Sequence, residues 1–191
     1  MTPDDWSPLP DSIQTPRSLL RRFSAADADD VYAYRRDPDV VRFLQVAQPF
    51  ERRDADAFVA TQVLADPRER CVWALEQQGR VVGGVSLRIA RQRLRAELGY
   101  ELARWLWGHG LMAEAASAVV DAAFGRLPII KISATATAAN ARSIRLLEKL
   151  GMQREALLRR HWVHRGRVLD EVRYGLLRDE WEERQAANTG P

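Results

Sequence analysis

The stretch ELGYELARWLWGHGLMAE, residues 97–114, decides how the rest of the chain reads. Its first half belongs to a strand expected over 94–102, and the turn Trp107-Gly108-His109-Gly110 follows. Leu111, Met112, Ala115, Ala116, Val119, Val120 and Ala123 then recur at the spacing of one helix face. A strand that passes through Gly-x-Gly into a helix gathers unpaired amides and a positive helix end at one point, which suits a phosphate. The same glycine pair also serves a plain tight turn, so both readings stand on this stretch alone.

A second signal follows it. Residues 131–136 read as a buried strand, and Asn140 stands at the N-cap of a helix over 141–150. Ile144, Leu147 and Leu150 form its inward face, and Gly151 falls just past its end as a C′ residue. Ser143 lies in the first turn, where a serine hydrogen-bonded to its own backbone is one account and a chemical role is another.

Taken in order, Gly99-Tyr100-Glu101-Leu102, Trp107-Gly108-His109-Gly110, Glu114-Ala115, Asn140-Ala141-Arg142-Ser143 and Leu146-Leu147-Glu148-Lys149-Leu150-Gly151-Met152 resemble the GCN5-related N-acetyltransferases. The branch with the ribosomal-protein alanine acetyltransferases is the nearest in pattern. The resemblance implies an α/β (α+β) fold: a single domain with a mixed, mostly antiparallel sheet of about seven strands, flanked by helices and opened by a V-shaped cleft. It extends more thinly over residues 19–181.

Length and composition agree with one domain: 191 residues, 46% of them hydrophobic. We expect a loose arm over 1–16, the domain over 17–185 and a frayed end over 186–191. The net charge is +3, and apart from Lys131 and Lys149 the positive residues are arginines interleaved with carboxylates. That pattern describes a solvated surface better than a nucleic-acid stripe, and some arginines suit coenzyme phosphates. The single cysteine, Cys71, excludes an internal disulfide and sits in an apolar run. No membrane-length apolar stretch or secretion signal is present, so a cytoplasmic location is expected.

Before the decisive stretch, a strand is expected over 18–23 and a capping box at Ser24–Asp27 opens a helix to Arg36, which Asp37-Pro38 ends. Residues 40–44 suggest a single helical turn. A second amphipathic helix over 51–64 should bury Ala55, Phe58, Val59 and Val63. The resemblance implies that both helices line the acceptor side of the cleft. Strands over 71–76 and 81–89 join through Gln77-Gln78-Gly79-Arg80, and Gly83-Gly84 marks a bulge or a close backbone approach. A further hairpin is expected at 91–93. After the later helix, 153–163 and 167–177 form an antiparallel pair around Arg165-Gly166, and 178–185 a short final helix.

The resemblance implies transfer of acetyl from acetyl-CoA, as co-substrate and without a metal, to a primary amine by direct attack in a ternary complex. The acceptor is a protein N-terminus or a small amine. Amides from Gly108, His109, Gly110, Leu111 and Met112, beside Trp107, would hold the diphosphate. The strand edge at Leu102, Ala103 and Arg104 would pair with the pantetheine arm, and Asn140 would add a bond to it. Ser143 would give a proton to the departing sulfur. Glu97 and Glu101 share a face by strand alternation. They read as base, as a lure for a cationic acceptor, or as solvent-facing residues; Glu101 is the choice for base, with Glu97 or water as alternatives.

The chain departs from relatives at Trp105, where Gln or Arg is frequent, and at Thr135 and Trp162, where family acids stand. These departures motivate a second reading, a non-catalytic acyl-CoA-binding module. His109 either touches a phosphate or faces water. His161 and His164 fall on opposite faces of one strand, which argues against a shared metal. Membrane contact is not expected, and a homodimer is in keeping with the family.

Overall fold

The computed structural model describes residues 8–46, 48–90 and 94–189. Along it run β1 (Ser12–Gln14), β2 (Leu19–Arg21), α1 (Ala28–Arg35), α2 (Arg52–Val63), β3 (Arg70–Gln77), β4 (Arg80–Ile89) and β5 (Arg95–Leu102). Then come α3 (Leu111–Arg126), β6 (Lys131–Thr137), α4 (Ala141–Lys149), β7 (Gln153–His164), β8 (Arg167–Leu177) and α5 (Arg178–Thr189). The strands form one open sheet of eight, ordered β1-β2-β3-β4-β5-β6-β8-β7, and β5–β6 is its parallel pair among antiparallel neighbours. This is a single α/β domain.

The eighth strand comes from the stretch expected to be a loose arm. Ser12–Gln14 pairs with Leu19–Arg21, Leu9 is buried, and the Trp73 indole donates to the Pro10 carbonyl at 2.9 Å. An edge strand so short carries little sequence signal of its own, and tertiary contacts hold it. At the other end α5 reaches Thr189 rather than fraying at 186, anchored by Trp181. That ring stacks on Phe124 at 5.3 Å, and its N–H donates to Asp121 at 2.7 Å.

The β3–β4 turn has Gln78 at φ 53° and Gly79 at φ 75°, the two left-handed residues of a hairpin turn whose twist matches its strands. The suspected irregularity is also present. The β3–β4 register shifts beside Glu76, and a Cβ on Gly83 would stand 2.4 Å from the Glu101 carbonyl oxygen. A side chain at 83 would therefore collide with the backbone of β5. The hairpin expected at 91–93 lies outside the described residues.

The α3 face buries all seven residues assigned to it, and Phe124 as well. The α2 face is turned relative to expectation: Ala55, Val59 and Gln62 are buried, Phe58 is half-buried, and Val63 is 49% exposed. Val63 is more apolar than the glutamine before it, yet the helical period puts 62 on the stripe with 55 and 59. Gln62 donates to the Phe58 carbonyl at 2.9 Å, while its Oε1 is buried without a hydrogen-bond partner among the described residues. Residues 40–44, expected as one helical turn, form hydrogen-bonded turns, with the Val41 N–H on the Asp37 carbonyl at 3.4 Å and the Leu44 N–H on the Val41 carbonyl at 3.1 Å. The β7–β8 ladder is interrupted between Leu158 and Trp162, with Arg160 at φ 52° and its N–H donating to Asp170 at 2.7 Å. Among the described residues no helix is long and apolar enough to cross a membrane.

Asp27 closes the turn before α1. It accepts from Arg21 at 2.8 and 2.9 Å and from the Ser24 N–H at 2.7 Å, with only 5% of its side chain exposed. Burial alone would raise its pKa, but the Arg21 and Ser24 hydrogen bonds outweigh it and the pKa is lowered. A folded-state pKa below the unfolded one gives stability that is full above about pH 4 and drains as pH falls through the folded value. Urea unfolding midpoints should therefore fall on acidification from neutral pH, and Asp27→Asn should flatten that fall. At neutral pH the variant should cost about 1–3 kcal/mol, because Arg21 loses one of its two carboxylate acceptors and keeps only Glu76, at 2.6 Å.

Candidate functional site

The site begins where β5 and β6 part. They pair only through Arg95–Lys131, Ala96–Ile132 and Glu97–Ser133, after which the strands diverge. The parting strands leave backbone groups of β5 facing a gap instead of a neighbour. That gap is a cavity of about 710 Å³, walled by residues 97–102 and 135–137, the 107–113 turn and helix start, α4, and residues 39–45.

At its inner end Gly108 (φ 83°) and Gly110 (φ 76°) turn the chain into α3. Both angles belong to the left-handed region, which explains the glycines. The Glu114 N–H bonds back to the Gly110 carbonyl at 3.1 Å, so the amides of 111–113 precede the first helical hydrogen bond and are open. Cations border the turn. The Arg17 guanidinium and the Lys149 ammonium would lie 3.7 and 3.9 Å from a Cβ on Gly110. Arg17 also donates to Glu114 at 2.6 Å and to the His109 carbonyl at 2.8 Å. Burial pushes the Glu114 carboxyl up, yet the hydrogen bonds from Thr15 and Arg17 prevail and hold it low. The Arg142 guanidinium sits 4.8 Å over the Trp107 ring.

Leu102, Trp107, Gly108, Gly110, Leu111, Met112, Asn140 and Ser143 all line this cavity, as do Thr135 and Trp162. His109 lines a smaller adjoining pocket with Arg17 and Lys149. Two expected residues are elsewhere. Ala103 is fully buried, outside the wall, and gives its N–H to Val82 at 2.7 Å. Arg104 turns away to pair with Asp39 at 3.1 Å and Asp37 at 3.8 Å. The Leu102 carbonyl, also expected to meet a ligand, accepts from the Trp107 indole at 2.8 Å. The short 3-10 turn Arg104–Leu106 bends the chain off the strand direction here, which strand-period reasoning does not anticipate.

Asn140 caps α4, its side-chain oxygen accepting from the Ser143 N–H at 3.2 Å. The Ser143 hydroxyl lies 2.7 Å from the Tyr100 hydroxyl. Tyr100 is a site residue missed in the sequence, although it stands in the Gly-Tyr pair. Burial pushes its pKa up to about 12, against the lowering effect of the Ser143 hydrogen bond.

Glu101 differs from the free carboxylate expected of a base. It accepts from Tyr34 Oη at 2.6 Å, Arg35 Nε at 3.0 Å and Arg35 Nη2 at 2.6 Å, and the Arg35 and Glu101 side chains are 6% and 11% exposed. The Arg35 guanidinium lies 3.4 Å over the Phe58 ring. Burial raises the Tyr34 pKa well above its ordinary value, and the Glu101 charge adds to it. For Arg35, burial lowers the pKa, but Glu101 and Tyr34 more than reverse this. Both Glu101 oxygens are thus committed to α1. Glu97 shares the cavity wall, exposed, with no hydrogen bond or ion pair among the described residues. Glu171, on β8, lines the cavity half-buried, with Arg173 Nε at 3.3 Å. It too went unnoticed in the sequence, because only pairing of β8 with β6 brings it opposite Thr137.

The tip of the β7–β8 hairpin rests on the loop that roofs the cavity. His164 Nε2 meets the Arg42 carbonyl at 3.1 Å, and Arg165 donates to the Val41 carbonyl at 3.0 Å. His164 stacks on Trp162 at 4.6 Å, while His161 is exposed.

Comparison with known proteins points one way. Residues 17–153 match the family described as Acetyltransferase (GNAT) domain. The chain is 31% identical over 176 residues to "Uncharacterized N-acetyltransferase p20" of Bacillus licheniformis, covering 90% of this chain and 98% of that protein. The crystal structure of an acetyltransferase (GNAT family) from Bacillus anthracis matches with TM-score 0.80 and 26% identity, over 88% of this chain and 99% of that one. The microcin C7 self-immunity acetyltransferase MccE, solved with acetyl-CoA and AMP, shares the fold at TM-score 0.79 and 17% identity, over 88% of this chain and 97% of its own.

Removing one partner of a desolvated pair strands the other. Arg35→Ala should therefore lower unfolding free energy by about 3–5 kcal/mol in denaturant titrations. Arg35→Lys should restore only part of it, since a point charge cannot make the forked contact.

Proposed function

Since the chain belongs to the GNAT acetyltransferase family, we propose that it moves an acetyl group from acetyl-CoA to a primary amine by direct attack in a ternary complex. The observation that carries this reading is the convergence, on one cavity, of an open helix start and a half-buried serine hydroxyl. The open amides of 111–113 receive the diphosphate, and Arg17 and Lys149 add positive charge beside it. MccE, of the same fold, binds acetyl-CoA, which agrees with a coenzyme seat of this kind.

The amine nitrogen attacks the thioester carbon, the C–S bond breaks, and sulfur takes the electron pair and a proton. Ser143 is the donor for that proton. The unpaired strand edge of β5 orients the pantetheine arm, with pairing ahead of Leu102, whose carbonyl Trp107 already occupies. Ala103 and Arg104 are structural in this scheme. Glu97 and Glu171, rather than Glu101, receive the acceptor as an ammonium, because Glu101 neutralises Arg35; Glu97 or water takes one ammonium proton before the neutral amine attacks. The acceptor, a protein N-terminus or a small amine, enters beneath residues 39–45 and beside Trp162.

Purified protein mixed with acetyl-CoA and a panel of peptides, amino acids, polyamines and aminoglycosides should release free CoA thiol. Binding by calorimetry with no release across the panel would instead favour a non-catalytic acyl-CoA-binding module. Ser143→Ala should leave acetyl-CoA affinity unchanged and lower kcat about a hundredfold; an unaltered kcat would remove Ser143 from the chemistry.

A further inference from the structure

A first-turn serine ordinarily satisfies its hydroxyl on nearby backbone. Ser143 does otherwise: among the described residues its hydroxyl partner is Tyr100 Oη, at 2.7 Å, and Asn140 takes only its backbone N–H. The Tyr100 hydroxyl can also donate to the Ser143 carbonyl at 3.3 Å, so the phenol lies directly against the start of α4, with Ser143 Oγ the nearer of its two acceptors. Both residues line the cavity. Two hydroxyls share one proton between them, and the direction matters. If serine donates to tyrosine, its proton is turned away from the ligand. If tyrosine donates, the serine proton is free to point into the cavity. A phenol is the more acidic partner and hence the better donor, and burial keeps it protonated up to about pH 12.

We propose that Tyr100 is a positioning residue, donating its hydrogen bond to Ser143 Oγ so that the serine proton faces the sulfur leaving the thioester. The inference rests on the acetyl-transfer reading and deepens it. As the N–C bond forms and the C–S bond breaks, the serine proton passes to sulfur. The proton lost by the attacking amine replaces it, giving amide and thiol. Tyr100 begins and ends protonated.

Tyr100→Phe keeps the ring and removes the oxygen. Turnover, read as CoA release, should fall about tenfold in kcat, with acetyl-CoA affinity and amine KM unchanged. In a Ser143→Ala background the same change should cost nothing further, because Tyr100 acts through Ser143. A readout without turnover is the thiol of bound free CoA, titrated by thiolate absorbance. An oriented hydroxyl stabilises the thiolate, so this pKa should be higher in Y100F than in the unaltered protein. Equal turnover, an equal loss in both backgrounds, or a loss of coenzyme affinity alongside kcat would each overturn the proposal. If the unaltered protein acetylates nothing in the panel, the acetyl-transfer reading fails. The bound-thiol titration then still decides whether Tyr100 aims Ser143 at sulfur.

Discussion

An arginine and a glutamate, both nearly out of reach of water, fix the geometry on which the cleft depends. Arg35 comes from the end of α1 and Glu101 from the last turn of pleat in β5, just where β5 has lost β6 as a neighbour. A charge removed from water costs several kcal/mol unless its partner is close and well oriented. The forked contact, the Tyr34 hydroxyl and the Phe58 face supply that environment together. The strand that ought to be loosest, being paired on one side only, is thereby pinned through a side chain to the helical layer. Gly83 completes the arrangement on the paired side by letting β4 approach the Glu101 backbone without a Cβ between them.

With β5 held, the remaining parts of the cavity follow from local rules. Positive-φ glycines turn the chain into α3, and the open amides at its start face a region bordered by Arg17 and Lys149. Asn140 fixes the start of α4, which puts the Ser143 hydroxyl against Tyr100. One cavity thus carries different chemistry in its lining: the open amides at the start of α3 with Lys149, and the carboxylates of Glu97 and Glu171.

What could be read in the sequence was what neighbours in the chain decide. The strand–turn–helix of 94–126, the Asn140 cap, the Gly151 stop and the Gln78-Gly79 hairpin are specified within a few residues, and they stand close to where they were expected. What could not be read depends on residues far apart. Glu101 reads as an exposed carboxylate until α1 is packed across β5, 66 positions away from Arg35. Tyr100 and Ser143 are 43 apart, and Glu171 joins the wall only through the β6–β8 register. The α2 face shows a finer failure: hydrophobicity favoured Val63, while helix rotation placed Gln62 inside. The edge strand at Ser12–Gln14 was invisible because three residues carry almost no periodicity.

The hairpin tip holds the roof by the main chain. His164 and Arg165 meet the carbonyls of Arg42 and Val41, leaving the side chains of Arg42, Phe43, Leu44 and Gln45 to line the space below. A clasp that grips only peptide oxygens is indifferent to which amino acids it clasps. Substitutions along that loop can therefore remodel the chamber lining while the main-chain clasp that holds it in place is kept.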